Sequence, residues 1–258
     1  MILHFEKYHG AGNDFIIING YNNVVRLSED QVKYMCSRRF GIGADGLIII
    51  EKVDGYDFRM RYYNSDGKEA SMCGNGGRCA VMFAYNNNIT GTNLNFIASD
   101  GPHYAKVIND EVVISMNNVE GIKIYDDGFF LNTGSPHFVV FVDNIDNINV
   151  TLSGKALADD KRFVPDRTNV NFVEFKNDIV KIATFERGVE DETLACGTGV
   201  VAAAVIINFT GKKTTDSIEL FAKGGKLKVD FQKENNKYEN IKLYGPAKFV
   251  FNGDIELI

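Results

Sequence analysis

Short runs in which apolar residues alternate with polar ones, or stand several in a row, recur along the whole chain and predict strands. They cover His4 to Tyr8, Phe15 to Asn19, Leu47 to Glu51, Phe58 to Tyr63, Leu94 to Ala98, Val112 to Met116, Phe138 to Val142, Asn171 to Phe175 and Ile179 to Phe185. Most are bounded by Gly, Asn or Asp turns. Helical periodicity is rarer. Ser28 to Arg39 opens with Ser28 and Gln31 at capping-box spacing, and Leu152 to Lys161 is a second amphipathic stretch. Two further helices, Gly76 to Tyr85 (GGRCAVMFAY) and Gly199 to Asn208 (GVVAAAVIIN), are small or apolar nearly all round. A helix without a polar face has to be buried on every side, which in a β-rich protein places it inside a curved sheet or barrel. An ordinary core helix between layers fits the same pattern.

The two apolar helices belong to an internal repeat. MCGNGGRCA at Met72 aligns with ACGTGVVAA at Ala195, so that Cys196 follows Cys73 by 123 positions, and Glu69 and Glu192 each precede their cysteine by four. At nearly the same spacing Gly12-Asn13-Asp14-Phe15 meets Gly134-Ser135-Pro136-His137-Phe138, with Phe138 following Phe15 by 123 positions. The strand ending at Asn64 meets the strand ending at Glu186, and Ala98 to Gly101 meets Ala222 to Gly225, each within one residue of that offset. Four matches in order predict a duplication. The expected organisation is α+β: two pseudo-symmetric domains, each a β-barrel-like sheet around a central buried helix. Residues 1–120 form the first half and 121–247 the second, with 248–258 returning to complete the first.

Composition narrows the function classes. The length of 258 residues exceeds the roughly 100 to 200 of a common domain, in keeping with two halves. A formal charge of −6, without a long Lys/Arg cluster, argues against a nucleic-acid surface and for a small substrate. No apolar run approaches the ~20 residues of a membrane span, and MILHFEKYHG lacks a signal pattern, so a cytoplasmic protein is expected. The four cysteines, Cys36, Cys73, Cys79 and Cys196, suit a reducing compartment and miss every zinc spacing, so no metal is expected.

CG-x-G before an apolar helix sets a thiol at a helix N-terminus, where unpaired N–H groups and the positive end of the dipole favour the thiolate. The N–H groups of Gly74, Asn75, Gly197 and Thr198 can bind a carboxylate there. A single CGxG is as well read as a buried structural cysteine near a turn. Two copies related by pseudo-symmetry suit inversion at an amino-acid α-carbon: one cysteine removes the α-proton and the other delivers a proton to the opposite face. Converging helix N-termini would stabilise the charge that develops on the substrate carboxylate. Such chemistry needs no metal and no pyridoxal cofactor.

Glu186 and Arg187, adjacent and opposite in charge, could grip the ammonium and carboxylate of a second amino-acid centre, or form a plain surface ion pair. Asn13, Asn64 and Asn169 offer neutral hydrogen bonds, although asparagine is also a common turn residue. His137, at the repeat position of Asp14, could tune a thiol or hold Glu186; a lone histidine is more often a satisfied polar residue.

At these residues the chain resembles the diaminopimelate epimerase family. The segments are HGAGNDF at His9, GIGADG at Gly41, YNSDGKEASMCGNGGRC at Tyr63, GSPHFV at Gly134, RTNVNF at Arg167 and FERGVEDETLACGTG at Phe185, spread over both halves. The resemblance implies cofactor-free conversion of LL-2,6-diaminopimelate to the meso form in lysine and cell-wall precursor synthesis, by a homodimer. By motif match Cys73 and Cys196 are the acid/base thiols, and His137 and Glu186 assist catalysis. Gly74, Asn75, Gly197 and Thr198 bind the reacting carboxylate; Asn13, Asn64, Asn169, Glu186 and Arg187 hold the other polar groups. Gly46 stands where many members carry Gln, Ser135 replaces an Asn, and Phe251 replaces a Tyr used by some members at the dimer contact. A proline or hydroxyproline racemase of the same fold is the nearest alternative, though its first cysteine precedes Gly-His rather than Gly-Asn-Gly. A thiol-redox protein is the alternative of another class.

Overall fold

The computed structural model describes residues 1–70 and 72–257, so Ile258, the end of the segment expected to return to the first half, lies outside the described residues. The chain divides into two compact units, Met1–Ile114 with Gly245–Ile258, and Ser115–Tyr244.

In the first unit β1 (Ile2–Gly10) pairs antiparallel with both β2 (Asn13–Gly20) and the C-terminal strand Lys248–Glu256. From β2 the order runs parallel to β3 (Gly46–Glu51) and antiparallel to β4 (Phe58–Asn64). Strand β4 then meets β5 (Glu69–Ala70) antiparallel and β6 (Asn93–Ala98) parallel, followed by antiparallel β7 (Gly101–Ile108) and β8 (Glu111–Ser115). The parallel β2–β3 step needs a crossover, which α1 (Glu29–Cys36) supplies. Ser28 Oγ accepts from Gln31 N at 3.2 Å and Gln31 Oε1 from Ser28 N at 3.0 Å, so the expected capping box forms. The helix ends at Cys36, not Arg39, because the chain then folds back onto its last turn, with Ile42 N donating to Met35 O.

Strands β2 and β3 read as unbroken apolar runs because both faces are covered. Ile16, Ile18, Leu47 and Ile49 pack with Val32 and Met35 of α1. Phe15 and Ile48 lie instead within reach of Gly76 in α2 (Gly74–Asn86), which the strands surround.

The second unit repeats this order of pairings. Antiparallel β9 (Lys123–Tyr125), β10 (Gly128–Asn132) and β11 (Pro136–Phe141) correspond to the C-terminal strand, β1 and β2. Parallel β12 (Asn169–Lys176) follows across α3 (Val150–Ala158), then antiparallel β13 (Ile179–Glu186). Strand β13 meets β14 (Asp191–Thr193) antiparallel and β15 (Ser217–Ala222) parallel, before antiparallel β16 (Gly225–Glu234) and β17 (Lys237–Pro246). Within this unit lies α4 (Gly197–Phe209), in which every residue from Val200 to Asn208 is buried. The predicted helix Leu152 to Lys161 begins two residues earlier, because Asn149 Oδ1 caps it by accepting from Leu152 N at 3.0 Å. Strands β5, β9, β10 and β14, each of five residues or fewer, escaped the sequence reading, as did the longer β7 and β15 to β17. Their outward positions carry Lys, Glu and Gln, which dilute the apolar signal while inward residues such as Leu227, Val229 and Phe231 stay buried.

Candidate active site

Each apolar helix begins directly after a cysteine. Cys73 and Cys196 are the N-cap residues of α2 and α4, both with extended backbone and neither with a side-chain cap. Gly74 and Gly197 are therefore the first helical residues, and the opening N–H groups of each helix lie beside a thiol. The other two cysteines are different. Burial pushes the Cys36 thiol up to about 12 and Cys79 higher still, so both are inert core residues.

At α2, Cys73 Sγ donates to Asn13 Oδ1 at 3.6 Å, and the same oxygen accepts from Asn75 Nδ2 at 3.2 Å. The orientation of Asn13 is set from its other end: its Nδ2 donates to Asp45 Oδ2 at 2.6 Å. Asp45 belongs to an ion cluster in which Arg38 donates to both Asp45 and Asp14, while the buried Lys7 pairs with Asp14 at 2.8 Å. Burial alone would raise the Asp14 carboxyl; the hydrogen bonds from Arg38 and Lys7 outweigh it and hold the group well below the usual carboxylate range.

One residue of α2 contradicts its apolar pattern. Arg78 is fully buried, with Nη2 donating to Asn75 Oδ1 at 2.7 Å, Nη1 to Gly74 O at 3.4 Å and Nε to Pro246 O at 3.3 Å. Burial lowers its pKa, but a guanidinium starts high enough to keep its proton. Sequence reasoning counted it among the residues of a core helix and missed that it orders the first turn.

At α4, Cys196 Sγ lies 3.4 Å from Thr198 Oγ1, Thr198 Oγ1 is 2.9 Å from His137 Nε2, and His137 Nδ1 is 3.0 Å from Asn171 Nδ2. Asn171 Oδ1 accepts from Thr184 Oγ1 at 2.9 Å. His137 has no exposed surface and is linked to Cys196 through Thr198. Both ring nitrogens are taken by Asn171 and Thr198; the expected alternative, a bond from His137 to Glu186, does not form. Asn171 and Thr184 were not anticipated. The available signal was a polar side chain on the strand face that packs on an apolar helix, whereas Val170 and Phe172 point to the α3 side. Gly199 also acquires a specific reason: a Cβ there would lie 2.3 Å from Asn171 Oδ1.

Burial pushes the His137 imidazole down to about 3, with the Arg187 charge acting in the same direction and the Asn171 hydrogen bond opposing. A group whose folded pKa lies below its unfolded 6.5 binds no proton in the fold while the unfolded chain takes one up. Stability is therefore lost as pH falls from about 6.5 toward about 3. In urea denaturation at pH 7 and pH 4, the wild type is expected to lose about 3 kcal/mol more than His137→Gln. Equal losses would mean that His137 titrates normally in the folded protein.

The remaining predicted residues divide. Asn169 is buried and its Oδ1 accepts from Arg187 N at 2.9 Å, fixing the turn after β13. The Arg187 guanidinium donates to the carbonyls of Asp166 and Arg167. Arg187 also lines a pocket of about 450 Å³ with Lys123, Asn132 and Arg162. Asn64 ends β4 in an exposed turn closed by its backbone N–H to Lys68 O. At Gly46 a Cβ would meet the Tyr62 ring at 2.5 Å, so no longer side chain fits without displacing that tyrosine. Glu69 and Glu192, matched in the repeat, are bound by Arg61 at 3.0 Å and Lys223 at 2.6 Å and tie down the short strands before each cysteine.

The family model described as Diaminopimelate epimerase matches residues 5–121 and 129–250. The diaminopimelate epimerase of Flavobacterium psychrophilum is 46% identical over 252 residues, covering 96% of this chain and 98% of its own. Among solved structures, a phenazine biosynthesis protein of the PhzF family from Bacillus anthracis matches all of both chains with a TM-score of 0.79 at 14% identity. A hydroxyproline epimerase from Agrobacterium vitis covers 99% of this chain and 93% of its own, with a TM-score of 0.70 at 13% identity. These two likenesses show the fold, α+β with a central helix in each unit.

Proposed function

The chain belongs to the diaminopimelate epimerase family, and from that premise we propose that it converts LL-2,6-diaminopimelate to the meso isomer with Cys73 and Cys196 as its two acid/base groups. The observation that carries the roles is the same in both units: a thiol at the N-cap of a buried helix, beside the first N–H groups. One sulfur takes the α-proton as a thiolate and the other gives a proton to the opposite face of the carbon. The obstacle is the weak acidity of the α-C–H. Backbone N–H groups of Gly74, Asn75, Gly197 and Thr198, aided by the helix dipoles, stabilise the carboxylate charge that grows as the proton leaves. Neither step uses a cofactor.

Recognition of the distal amino-acid centre falls to the residues where the two units differ. Arg187, whose guanidinium donates to the carbonyls of Asp166 and Arg167, suits a substrate carboxylate. Glu186 suits the ammonium, and Asn13, Asn64 and Asn169 the remaining polar groups. His137 acts through Thr198 rather than on substrate. The enzyme works in the cytoplasm as a homodimer joined along its C-terminal strand, where Phe249, Val250 and Phe251 are exposed apolar residues. No helix among the described residues is long and apolar enough to cross a membrane.

Incubation of the reduced protein in D₂O separates this reading from its rivals. With LL-diaminopimelate, α-deuterium incorporation and conversion to the meso form are expected; with L-proline, neither. Turnover of proline in place of diaminopimelate would assign the racemase activity instead, and inertness toward both would remove the catalytic reading.

A further inference from the structure

The hydrogen bonds around the two sulfurs run in opposite directions, and the residues that set their direction lie outside the reacting groups. Asn171 Nδ2 is the amide nitrogen, because it lies 3.4 Å from Phe138 O, which can only accept, while its Oδ1 receives the Thr184 hydroxyl proton. That nitrogen then donates to His137 Nδ1, so Nδ1 carries no proton and the neutral ring has its hydrogen on Nε2. Nε2–H donates to Thr198 Oγ1, which leaves the single hydroxyl proton of Thr198 for Cys196 Sγ. At Cys73 the arrangement is reversed: Asn13, turned by Asp45, presents an oxygen that can only accept. A sulfur that receives a hydrogen bond is favoured as thiolate, and one that must donate is favoured as thiol.

The asymmetry is written into the repeat. Gly76 and Gly199 correspond at the 123-residue offset, as do Ile48 and Asn171, and each glycine packs against that neighbour. Where the first unit has an apolar contact beneath the helix, the second has the amide that anchors the chain.

We infer that Asn171 and Thr184 are positioning residues that make Cys196 the thiolate, and hence the base, of the resting protein, with Cys73 as the acid. This rests on the two-thiol reading of the function. In a turnover from that state the α-proton goes to Cys196 and the Cys73 proton goes to the substrate, so the negative charge ends on Cys73. Arg78, five residues further along α2, supplies the positive field that lets Cys73 hold it.

A long-range ¹H–¹⁵N spectrum of the histidine rings tests the wiring without any substrate. His137 is expected to show a bare Nδ1 and a protonated Nε2 at pH 7; the opposite tautomer, or an imidazolium, would overturn the inference. In Asn171→Leu the bare Nδ1 signature is expected to be lost. Iodoacetamide labelling at pH 7, followed by peptide mass analysis, reads the consequence. Cys196 is expected to react faster than Cys73, and Thr198→Val to slow Cys196 by about tenfold, the size of one hydrogen bond to a charged acceptor, with Cys73 unchanged. An unchanged Cys196 rate in Thr198→Val would also overturn it. Failure to epimerise diaminopimelate, with tautomer and labelling as expected, would instead strike the proposed reaction.

Discussion

Cys196→Ala is expected to lower epimerisation of LL-diaminopimelate by at least about 10³-fold, within the range that a positioned general acid or base contributes. Cys73→Ala is expected to do the same, and the double variant to be hardly worse, because two groups that act in one exchange of protons are not additive. Buried Cys36 and Cys79 are held as thiols by desolvation and cannot substitute for either. The two single variants are expected to differ in D₂O. With Cys73 replaced, the Cys196 thiolate can still remove and return a proton on its own face, so one of the two isomers exchanges its α-proton without inverting. With Cys196 replaced, the remaining sulfur is the thiol held to Asn13, and both exchange and inversion are lost. Mass and chiral analysis of recovered substrate read both. Epimerisation surviving in either variant would refute the two-thiol mechanism.

Arg78→Ala carries the largest expected cost in stability, about 3 to 5 kcal/mol in chemical denaturation. The substitution opens a cavity beside α2 and strips donors from three acceptors at once, Asn75 Oδ1, Gly74 O and Pro246 O. Pro246 belongs to the segment that returns to complete the first unit, so this side chain also ties the chain's last stretch to the helix. Arg78→Lys is expected to recover only part of the loss, since one ammonium cannot reproduce the planar fork that reaches the three oxygens. Wild-type stability in Arg78→Ala would mean that the guanidinium contributes no more than it costs to bury.

The role of Arg78 marks a limit of reading residues by periodicity. GGRCAVMFAY has the small and apolar outline of a core helix, and the helix is buried, yet its one cation is buried with it. Only the carbonyls gathered from Gly74 and Pro246, 168 positions apart from Arg78 in the latter case, explain why it is tolerated. The same holds for Asn171 and Thr184, which read as ordinary strand residues until their strands place them across the ladder from one another and against Gly199.

What the sequence determined by itself was the chemistry that local geometry dictates. In both units a cysteine followed by glycines and an apolar run starts a buried helix, and the shared spacing of the two copies marks the two thiols as a pair. The tertiary structure decided what surrounds them. The hydrogen bonds around the two sulfurs draw on Asn13, Thr198, His137, Asn171 and Thr184, all but Thr198 distant from the cysteines along the chain. A hydrogen bond needs atoms within about 3 Å and in the right orientation. Residues far apart in sequence meet that condition only when the fold brings their strands and helices together.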